Sequence, residues 1–344
     1  MRSLTSTKPL MPGPSRVADP AYAAGMADGL LGELSARACP VCGSTDDSDV
    51  FAAQRLDSAS LDRYAFASRK RPEHMRLRLV RCPQCDLVYA SHVPAPEALA
   101  RAYGEAAFDS AIEARFAART YREALVGLLR TLPDRDGALD IGTGEGAFLR
   151  ELLDAGFTAV GGVEPSAEPI AAAEPRIAEL IEHDVFRPDL RPPGSLSLVT
   201  CFQTIEHVPD PTVLVREAAQ MLKPGGVLAL VCHDRRAPIN RLLGLRSPIV
   251  DIEHQQLFSP ASVSRLLRAA GLVDVGHRAI RNRYPLHYWM RLLPLPRQGG
   301  ELAERLLERA GLGDRALTMP VGNLLAWGRR PADPERTAAR APAA

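Results

Sequence analysis

One glycine-rich segment, Gly137 to Leu149, constrains the fold of this 344-residue chain more than any other feature. It opens with Ala138–Ile141, an apolar run typical of a buried strand, and it continues into residues with the apolar spacing of a helix. Between them stand Gly142, Gly144 and Gly146. Glycine tolerates backbone conformations that other residues avoid, and it lets a ligand approach the main chain closely. A strand, a tight turn and a helix in this order predict a nucleotide-binding turn.

The turn alone leaves its ligand open. The spacing Gly142-x-Gly144-x-x-Ala147 also fits the loose dinucleotide fingerprint, which indicates NAD or FAD. A glycine-rich turn with no ligand is a further alternative. The choice therefore depends on residues elsewhere in the chain.

Downstream of the turn, β-rich runs alternate with helical ones, which predicts right-handed crossovers and a parallel sheet covered on both faces. A ligand would then bind at the carboxyl ends of the strands. The predicted strands are Ala138–Ile141, Ala159–Val163, Leu180–His183, Leu196–Phe202 and Val227–Val231, followed by Val273–Ile280 and Asn323–Gly328. The predicted helices include Ala147–Ala155, Ser166–Ala173, Thr212–Leu222 and Ala261–Ala270, and residues 233–256 are predicted to be irregular.

Four of these strand or helix ends carry a polar or glycine signature. Glu164 follows the second strand, where a carboxylate can accept hydrogen bonds from both hydroxyls of a ribose. Asp184 follows the third strand and could accept from an adenine amine. The pair Glu206-His207 follows the fourth strand, and Lys223-Pro-Gly-Gly226 precedes the fifth.

This series resembles the class I S-adenosylmethionine-dependent methyltransferases, from about Phe108 to Gly328. A dehydrogenase has no reason to carry the last two motifs. The resemblance implies an α/β fold, a doubly wound, seven-stranded Rossmann-like sheet in which a seventh, antiparallel strand lies beside the sixth. It also implies S-adenosylmethionine as the cofactor.

The resemblance further implies which residues bind that cofactor. Asp140 would organise the turn and meet the ammonium group of the methionine moiety, Glu164 would hold the ribose, and Phe202 and Gln203 would lie under the sulfonium. The full predicted cofactor set is Asp140, Gly142, Gly144, Gly146, Glu164, Asp184, Val185, Phe202 and Gln203.

Methyl transfer to oxygen or carbon requires alignment of the acceptor and removal of a proton, so a general base is expected. We predict His254, oriented by Glu253, as this base, because a comparable Glu-His pair takes part in deprotonating the acceptor in sugar C-methyltransferases. His207 is a second candidate, and His233 also falls at the carboxyl edge of the sheet. The alternatives are a structural cap on the next helix for His254 and a helix-start histidine for His207.

A segment rich in aromatic and cationic residues, Arg281 to Arg291, lies between the last two predicted strands. We predict Tyr284, His287, Tyr288 and Arg291 as acceptor-binding residues. Arginine suits phosphate groups, and aromatic faces suit a flat ring or a sugar. The alternative is a lid helix that only packs on the domain.

Two C-x-x-C pairs, formed by Cys39, Cys42, Cys82 and Cys85, precede this domain. Two such pairs can close a tetrahedral site, and zinc is the metal that such sites most often hold. Four thiolates leave no open position for water, so we predict a structural Zn²⁺ ion. A redox pair is the alternative.

The predicted domain organisation has five parts. They are a flexible N-terminal arm (1–36), a small four-cysteine zinc-binding module (37–93), linking helices (94–133), a methyltransferase domain (134–330) and a disordered tail (331–344). No signal peptide or membrane span is recognisable, which predicts a cytoplasmic protein without membrane partners. The formal net charge of +1 makes nucleic acid an unlikely partner.

We therefore expect an S-adenosylmethionine-dependent enzyme that methylates an oxygen or carbon atom of a small molecule. The acceptor would be a sugar, a sugar nucleotide or a secondary metabolite. An RNA methyltransferase that grips RNA with the zinc module and a non-catalytic adaptor that keeps the fold are the alternatives. The sequence does not indicate an oligomeric state.

Overall fold

The computed structural model describes residues 20–57, 61–67, 73–108, 111–292, 305–307, 309–313 and 315–332. Residues 1–19 of the predicted arm and 333–344 of the predicted tail lie outside the described part. The arm prediction is wrong for residues 20–36, because they form helix α1 (Pro20–Leu31) and strand β1 (Leu34–Ala36). The Leu30 side chain is only 2% exposed, so burial of apolar groups fixes this segment against the rest of the protein.

A seven-stranded sheet forms the main domain and confirms the predicted fold class. Its strands are β6 (Ala138–Ile141), β7 (Val160–Glu164), β8 (Ile181–His183), β9 (Leu196–Phe202), β10 (Leu222–His233), β12 (Val273–Pro285) and β13 (Ala316–Arg329). Their order in space is β12-β13-β10-β9-β6-β7-β8. The strand β13 pairs antiparallel with both β10 and β12, as the resemblance implies. The central strand β9 is buried at every position, as expected for a strand covered on both faces.

Helices connect these strands and begin at recognisable residues. They are α4 (Ala147–Asp154), α5 (Ala167–Ala172), α6 (Pro175–Ala178), α7 (Pro211–Met221), α8 (Pro238–Leu243) and α9 (Pro260–Ala269). The Asp210 carboxylate caps α7 by accepting from the amides of Thr212 and Val213. Ser259 and Ser262 form a reciprocal capping box at α9. The predicted irregular stretch 233–256 is therefore only partly irregular, because it contains α8 and a 3-10 helix, Gly244–Arg246.

Two strands are longer than the sequence predicts. Strand β12 continues to Pro285 and β13 begins at Ala316, so they form a long antiparallel hairpin that includes part of the predicted acceptor segment. The helix α10 (Leu286–Leu292) follows β12 directly. Along β12 the side chains alternate, as strand geometry requires, with Asn282 and Tyr284 buried and Arg281 and Arg283 exposed.

The cysteine-containing segment forms a small antiparallel sheet with a strand of the main domain. Its strands are β2 (Val50–Ala52), β3 (Leu79–Arg81), β4 (Val88–Ala90) and β11 (Gln256–Leu257), in the order β11-β4-β3-β2. A further strand, β5 (His92–Pro94), pairs with β1. The outermost strand, β11, lies shortly after the Glu253-His254 pair. The small sheet and the predicted base are therefore structurally joined.

Two further helices, α2 (Pro96–Gly104) and α3 (Ala111–Leu129), lead from the small sheet to the main one. The α3 residues Tyr121 and Leu125 are buried in one apolar cluster with Phe148 and Phe202. No helix in the described ranges combines the length and the apolar character needed to cross a membrane.

Candidate active site

A cavity of about 880 Å³ opens at the carboxyl ends of β6, β7, β9 and β10. One end is lined by the glycine turn and by the ends of β7 and β8. The other end is lined by His207 after β9, His233 at the end of β10 and His254 before β11, by aromatic residues of β12 and α10, and by Tyr103 of α2. We call these the turn end and the histidine end.

The three glycines of the turn differ in what an added side chain would meet. All of them have positive φ angles, of 72° at Gly142, 60° at Gly144 and 73° at Gly146. A Cβ on Gly142 would lie 2.2 Å from Thr204 Oγ1, and one on Gly146 would lie 2.4 Å from Ile177 Cγ2. A Cβ on Gly144 would meet nothing within 4 Å and would project into open space beside the cavity.

Only one of these glycines therefore offers room for a ligand. Gly142 and Gly144 line the cavity, but Gly146 is absent from its lining and begins α4 against Ile177. The prediction of Gly146 as a cofactor contact is corrected: its missing side chain serves packing.

Asp140 lies buried at the end of β6 and faces the cavity. Its Oδ1 accepts a hydrogen bond from Thr200 Oγ1 at 2.6 Å. Burial raises the pKa of Asp140 to about 7, against the opposing effect of the Thr200 hydrogen bond. A cationic ligand group would favour the ionised carboxylate here.

Glu164 connects the turn to the end of β7. Its Oε2 accepts from the Gly144 amide at 2.9 Å, and its Oε1 accepts from the Ser166 amide at 3.0 Å. Burial raises the pKa of this carboxyl, and the two amide hydrogen bonds oppose the shift. Each carboxylate oxygen has two lone pairs, so Glu164 can still accept from two hydroxyls at the cavity.

The other predicted cofactor residues also line the turn end or the middle of the cavity. Asp184 is half-buried, accepts from the Val185 amide at 2.8 Å and pairs with Arg187. The Phe202 ring makes an edge contact with Phe148, with centroids 4.8 Å apart. Gln203 has a φ of 55°, which turns the chain at the end of β9.

Three histidines from separate segments meet at the histidine end. The rings of His207 and His254 lie 4.8 Å apart, and those of His233 and His254 lie 5.3 Å apart at 90°. Their segments are the loop after β9, the end of β10 and the residues before β11. All three line the cavity, so the structure brings the predicted bases together.

His207 and Tyr103 both hold the main chain of Glu253. The Tyr103 hydroxyl donates to Glu253 O at 2.9 Å, and His207 Nδ1 lies 3.1 Å from the same oxygen. Nδ1 also lies 3.0 Å from the Tyr103 hydroxyl, so the His207 ring, the tyrosine and the carbonyl oxygen form one compact group. The side chain of Glu253 approaches His254, with Oε1 at 3.9 Å from Nε2.

Glu206 is a buried carboxyl that was not predicted from the sequence as a site residue. Its Oε1 accepts from the His233 amide at 2.6 Å, and burial raises its pKa to about 8. Glu206 is 0% exposed and lies beneath the histidine cluster. It is therefore largely protonated at neutral pH in the unliganded protein.

Aromatic side chains form one wall of the histidine end. Tyr284, Tyr288 and Trp289 pack with centroid distances of 4.6 Å and 5.3 Å from the Tyr284 ring. Both predicted tyrosines line the cavity, and Trp289 joins them. His287 does not: Nδ1 lies 3.1 Å from Gly313 O, and Nε2 lies 3.5 Å from Glu113. The His287 prediction is corrected, and the Arg291 side chain lies outside the described residues.

The described lining of the cavity contains carboxylates but no lysine or arginine side chain. Arg281 and Arg283 are exposed on the opposite face of β12 from Asn282 and Tyr284, because side chains alternate along a strand. These two arginines therefore do not line the cavity and cannot bind a phosphate group inside it. The sequence prediction ended this strand at Ile280, so it did not foresee that Arg281 and Arg283 would alternate with buried residues.

The four cysteines gather at one point of the small sheet. Cys39 Sγ lies 3.5 Å from Cys85 Sγ, and Cys42 Sγ lies 3.4 Å from Cys82 Sγ. All four sulfur atoms lie within 4.8 Å of one another. Four thiolates at about 2.3 Å from a central ion would be separated by comparable distances, so this set suits a tetrahedral metal.

Several lining residues carry no recognisable signal in the sequence. Tyr103 and Tyr121 come from the predicted linking helices, Phe66 comes from the loop between β2 and β3, and Asn282 and Asn323 come from the β12–β13 hairpin. An amphipathic helix or an alternating strand does not reveal which of its buried side chains borders a ligand. Their place in the site depends on tertiary packing.

The strand order, with antiparallel β13 between β10 and β12, defines the class: this is a class I S-adenosylmethionine-dependent methyltransferase fold. Residues 113–277 match the family model described as a methyltransferase domain, and this part of the chain is a domain of that family.

Curated relatives include two ubiquinone biosynthesis O-methyltransferases. The protein from Xanthomonas euvesicatoria pv. vesicatoria is 38% identical over 91 residues, covering 23% of this chain and 36% of the relative. The protein from Idiomarina loihiensis is 28% identical over 151 residues, covering 40% and 61%. The chain thus spans less than two thirds of either relative.

A solved structure from Thermotoga maritima, a possible histamine N-methyltransferase, has 20% identity and a TM-score of 0.41, covering 64% of this chain and 93% of that one.

Proposed function

We propose that this protein transfers a methyl group from S-adenosylmethionine to an oxygen atom of a small acceptor that carries no phosphate. The observation that carries the proposal is one continuous cavity that joins two chemically different ends. The turn end offers buried carboxylates, and the histidine end offers proton acceptors beside an aromatic wall. The similarity to O-methyltransferases supports oxygen over carbon as the acceptor atom.

The turn end suits the cofactor's charges and hydroxyls. Asp140 would meet the ammonium group, and Glu164 would accept from the ribose hydroxyls with its remaining lone pairs. Asp184 and Val185 would contact the adenine, and Phe202 and Gln203 would lie near the sulfonium. Bound S-adenosylmethionine supplies an activated methyl group, so the protein has to align the acceptor and manage its proton.

At the histidine end we propose His254 as the general base. The Glu253 carboxylate would orient the His254 ring and stabilise its protonated form. The separation of 3.9 Å between Glu253 Oε1 and His254 Nε2 permits electrostatic support of a protonated imidazole. His207 and Tyr103 hold the Glu253 main chain, and thereby position the pair. The acceptor oxygen would lose its proton to His254 as it attacks the methyl group.

The lining residues favour an uncharged acceptor. Carboxylates without any described cation would repel a phosphate, so a sugar nucleotide or RNA fits less well than a neutral hydroxylated ring. Tyr284, Tyr288 and Trp289 offer faces on which such a ring can pack. A non-catalytic adaptor would have no need of the complete histidine end.

We further propose that the cysteine cluster holds a structural Zn²⁺ ion that supports the histidine end. Arg37, close to Cys39, donates to Gln255 O at 2.7 Å and to Pro209 O at 3.0 Å. Strand β11, which lies shortly after His254, is an edge strand of the small sheet. A four-thiolate site also suits the cytoplasmic location that we propose, where thiols stay reduced.

The test combines calorimetric binding of S-adenosylmethionine with turnover on a panel of phenols, sugars and sugar nucleotides, read by mass spectrometry. We expect S-adenosylmethionine but not NAD to bind, Glu164→Ala to abolish binding, and phenols to be methylated. His254→Gln should lower turnover without changing cofactor affinity, while the matched control His277→Gln, on the exposed face of β12, should do neither.

Methylation of RNA or of a sugar nucleotide in preference to every phenol would overturn the acceptor assignment. Cofactor binding without turnover on any acceptor, together with unchanged cellular function of His254→Gln, would favour the adaptor. Binding of NAD in place of S-adenosylmethionine would overturn the cofactor assignment itself.

A further inference from the structure

A chain of polar side chains, partly buried at His233 and buried at the other members, runs from the histidine end across three neighbouring strands. His233 ends β10, Asn323 lies opposite it in β13, and Asn282 and Tyr284 follow in β12. His233 Nδ1 lies 2.8 Å from Asn323 Oδ1, and Asn323 Nδ2 donates to Asn282 Oδ1 at 3.1 Å. Asn282 Nδ2 donates to the Tyr284 hydroxyl at 3.4 Å. Every member of this chain lines the cavity.

The direction of these hydrogen bonds determines the tautomer of His233. Because the Asn323 amide nitrogen donates to Asn282, its oxygen is the atom that faces the imidazole. An amide oxygen can only accept, so Nδ1 of His233 must carry the proton. The other ring nitrogen, Nε2, is then an unprotonated acceptor, and it has no hydrogen-bond partner among the described residues.

The surroundings keep this ring neutral. Burial lowers the pKa of His233 to about 4, although the Asn323 hydrogen bond opposes the shift. The neighbouring His254 ring meets it edge-on, and the Glu206 carboxyl accepts its main-chain amide and not its ring. A neutral ring with a fixed tautomer is suited to recognising one kind of partner, a hydrogen-bond donor.

We propose that His233 binds the methyl acceptor through Nε2, which accepts a hydrogen bond from a hydroxyl group of the acceptor. This role rests on the proposed function and is separate from proton abstraction, which we assign to His254. The Asn323–Asn282–Tyr284 relay is the positioning device, because it fixes which ring nitrogen carries the proton. A ligand that lacks a donor would leave Nε2 desolvated and unpaired, and would be rejected.

The first test is nitrogen NMR of the full chain labelled in its histidines, with His233→Gln used to assign the signal. We expect Nδ1 of His233 to be protonated and Nε2 to be unprotonated. Adding phenol should shift the Nε2 signal, while anisole, which has the same ring but no donor, should not. A protonated Nε2, as a reversed relay would give, overturns the proposal, as does an equal response to both probes.

Variants supply a second measurement. His233→Phe keeps an aromatic ring and removes the acceptor, and should lower kcat/KM for a phenol roughly 10- to 100-fold with unchanged S-adenosylmethionine affinity. His233→Gln, whose amide oxygen can accept, should recover part of the loss. Asn323→Leu cuts the relay and should give a mixture of tautomers in the NMR spectrum.

Equal losses in His233→Phe and His233→Gln, or a loss of cofactor affinity in both, would indicate a merely structural histidine. The proposed function fails separately, if the wild-type protein does not bind S-adenosylmethionine. The tautomer of His233 and its response to phenol and anisole can still be measured in that case.

Discussion

The ionisation of Asp140 should couple cofactor binding to pH. Its pKa of about 7 lies roughly 3 units above the ordinary value of 3.8, which corresponds to about 4 kcal/mol of unfavourable ionisation in the unliganded fold. A bound ammonium group would stabilise the carboxylate, so binding requires the ionised form. At pH 6 only about one molecule in ten is ionised, and S-adenosylmethionine should bind about tenfold more weakly than at the pH of full ionisation.

Calorimetric titration between about pH 6 and 7.5 measures this effect, since α-amino groups begin to lose their proton only near pH 8. The matched control is Asp140→Asn, which keeps an oxygen for the Thr200 hydroxyl but cannot ionise. The variant should bind S-adenosylmethionine weakly, and its affinity should not fall further as the pH is lowered towards 6. Affinity of the wild-type protein that stays flat over this range would refute the reasoning.

The stability of the unliganded protein should change in the opposite sense. Because the folded-state pKa of Asp140 is raised, the stabilisation it gives is complete below pH 3.8 and is lost as the pH rises through 7. Asp140→Asn should therefore be more stable than the wild type at about pH 8, by up to about 4 kcal/mol, with a smaller difference at about pH 5. Chemical denaturation of both proteins at both pH values gives the difference between their free energies of unfolding. The effects of other titrating groups cancel in this difference because both proteins contain them.

Three further predictions concern the turn, the metal and the buried carboxyl beneath the histidines. Gly144→Ala should lower S-adenosylmethionine affinity with only about 1 kcal/mol of destabilisation. Gly142→Ala should instead destabilise the fold, because the added Cβ would clash with Thr204. Calorimetry measures the affinity and thermal melts measure the stability of each variant. If the cysteine cluster holds the proposed zinc ion, a chelator or Cys82→Ser should reduce acceptor turnover and lower Tm while leaving the affinity for S-adenosylmethionine nearly unchanged. An equal loss of turnover and of cofactor affinity would contradict a role confined to the acceptor site. Glu206→Gln should raise stability above pH 8, because burial raises the pKa of this carboxyl to about 8, and denaturation from about pH 6 to 9 should show the largest gain at the alkaline end.

The turn end of the cavity was predictable because its residues follow one another along the chain. Each predicted carboxylate stands at or directly after the end of a strand, and parallel strands bring their carboxyl ends to one edge of the sheet. Asp140, Glu164 and Asp184 all line the cavity for this reason. The error at Gly146 arose because a glycine can serve packing against a helix as well as contact with a ligand.

The histidine end was predictable only in part. His207 and His254 follow motifs that the family shares, but Tyr103 and Asn323 lie far away in sequence and reach the cavity through helix packing and strand insertion. The acceptor segment was misjudged because the length of β12 could not be read from the sequence. Its continuation to Pro285 imposes an alternation that separates Tyr284 from the neighbouring arginines.

The small sheet links the cysteine-containing segment to the segment that carries the proposed catalytic residues Glu253 and His254. Strand β11 completes that sheet, and Arg37 ties it to the loop that carries His207 through Pro209 O. Burial lowers the pKa of Arg37 to about 10, yet it remains charged at neutral pH and its hydrogen bonds to carbonyl oxygens compensate for desolvation. Because β11 and Arg37 join the small sheet to the segments that carry His254 and His207, whereas Asp140 and Glu164 stand on strands of the main sheet, the cysteine cluster should govern where the acceptor binds more than where the cofactor binds.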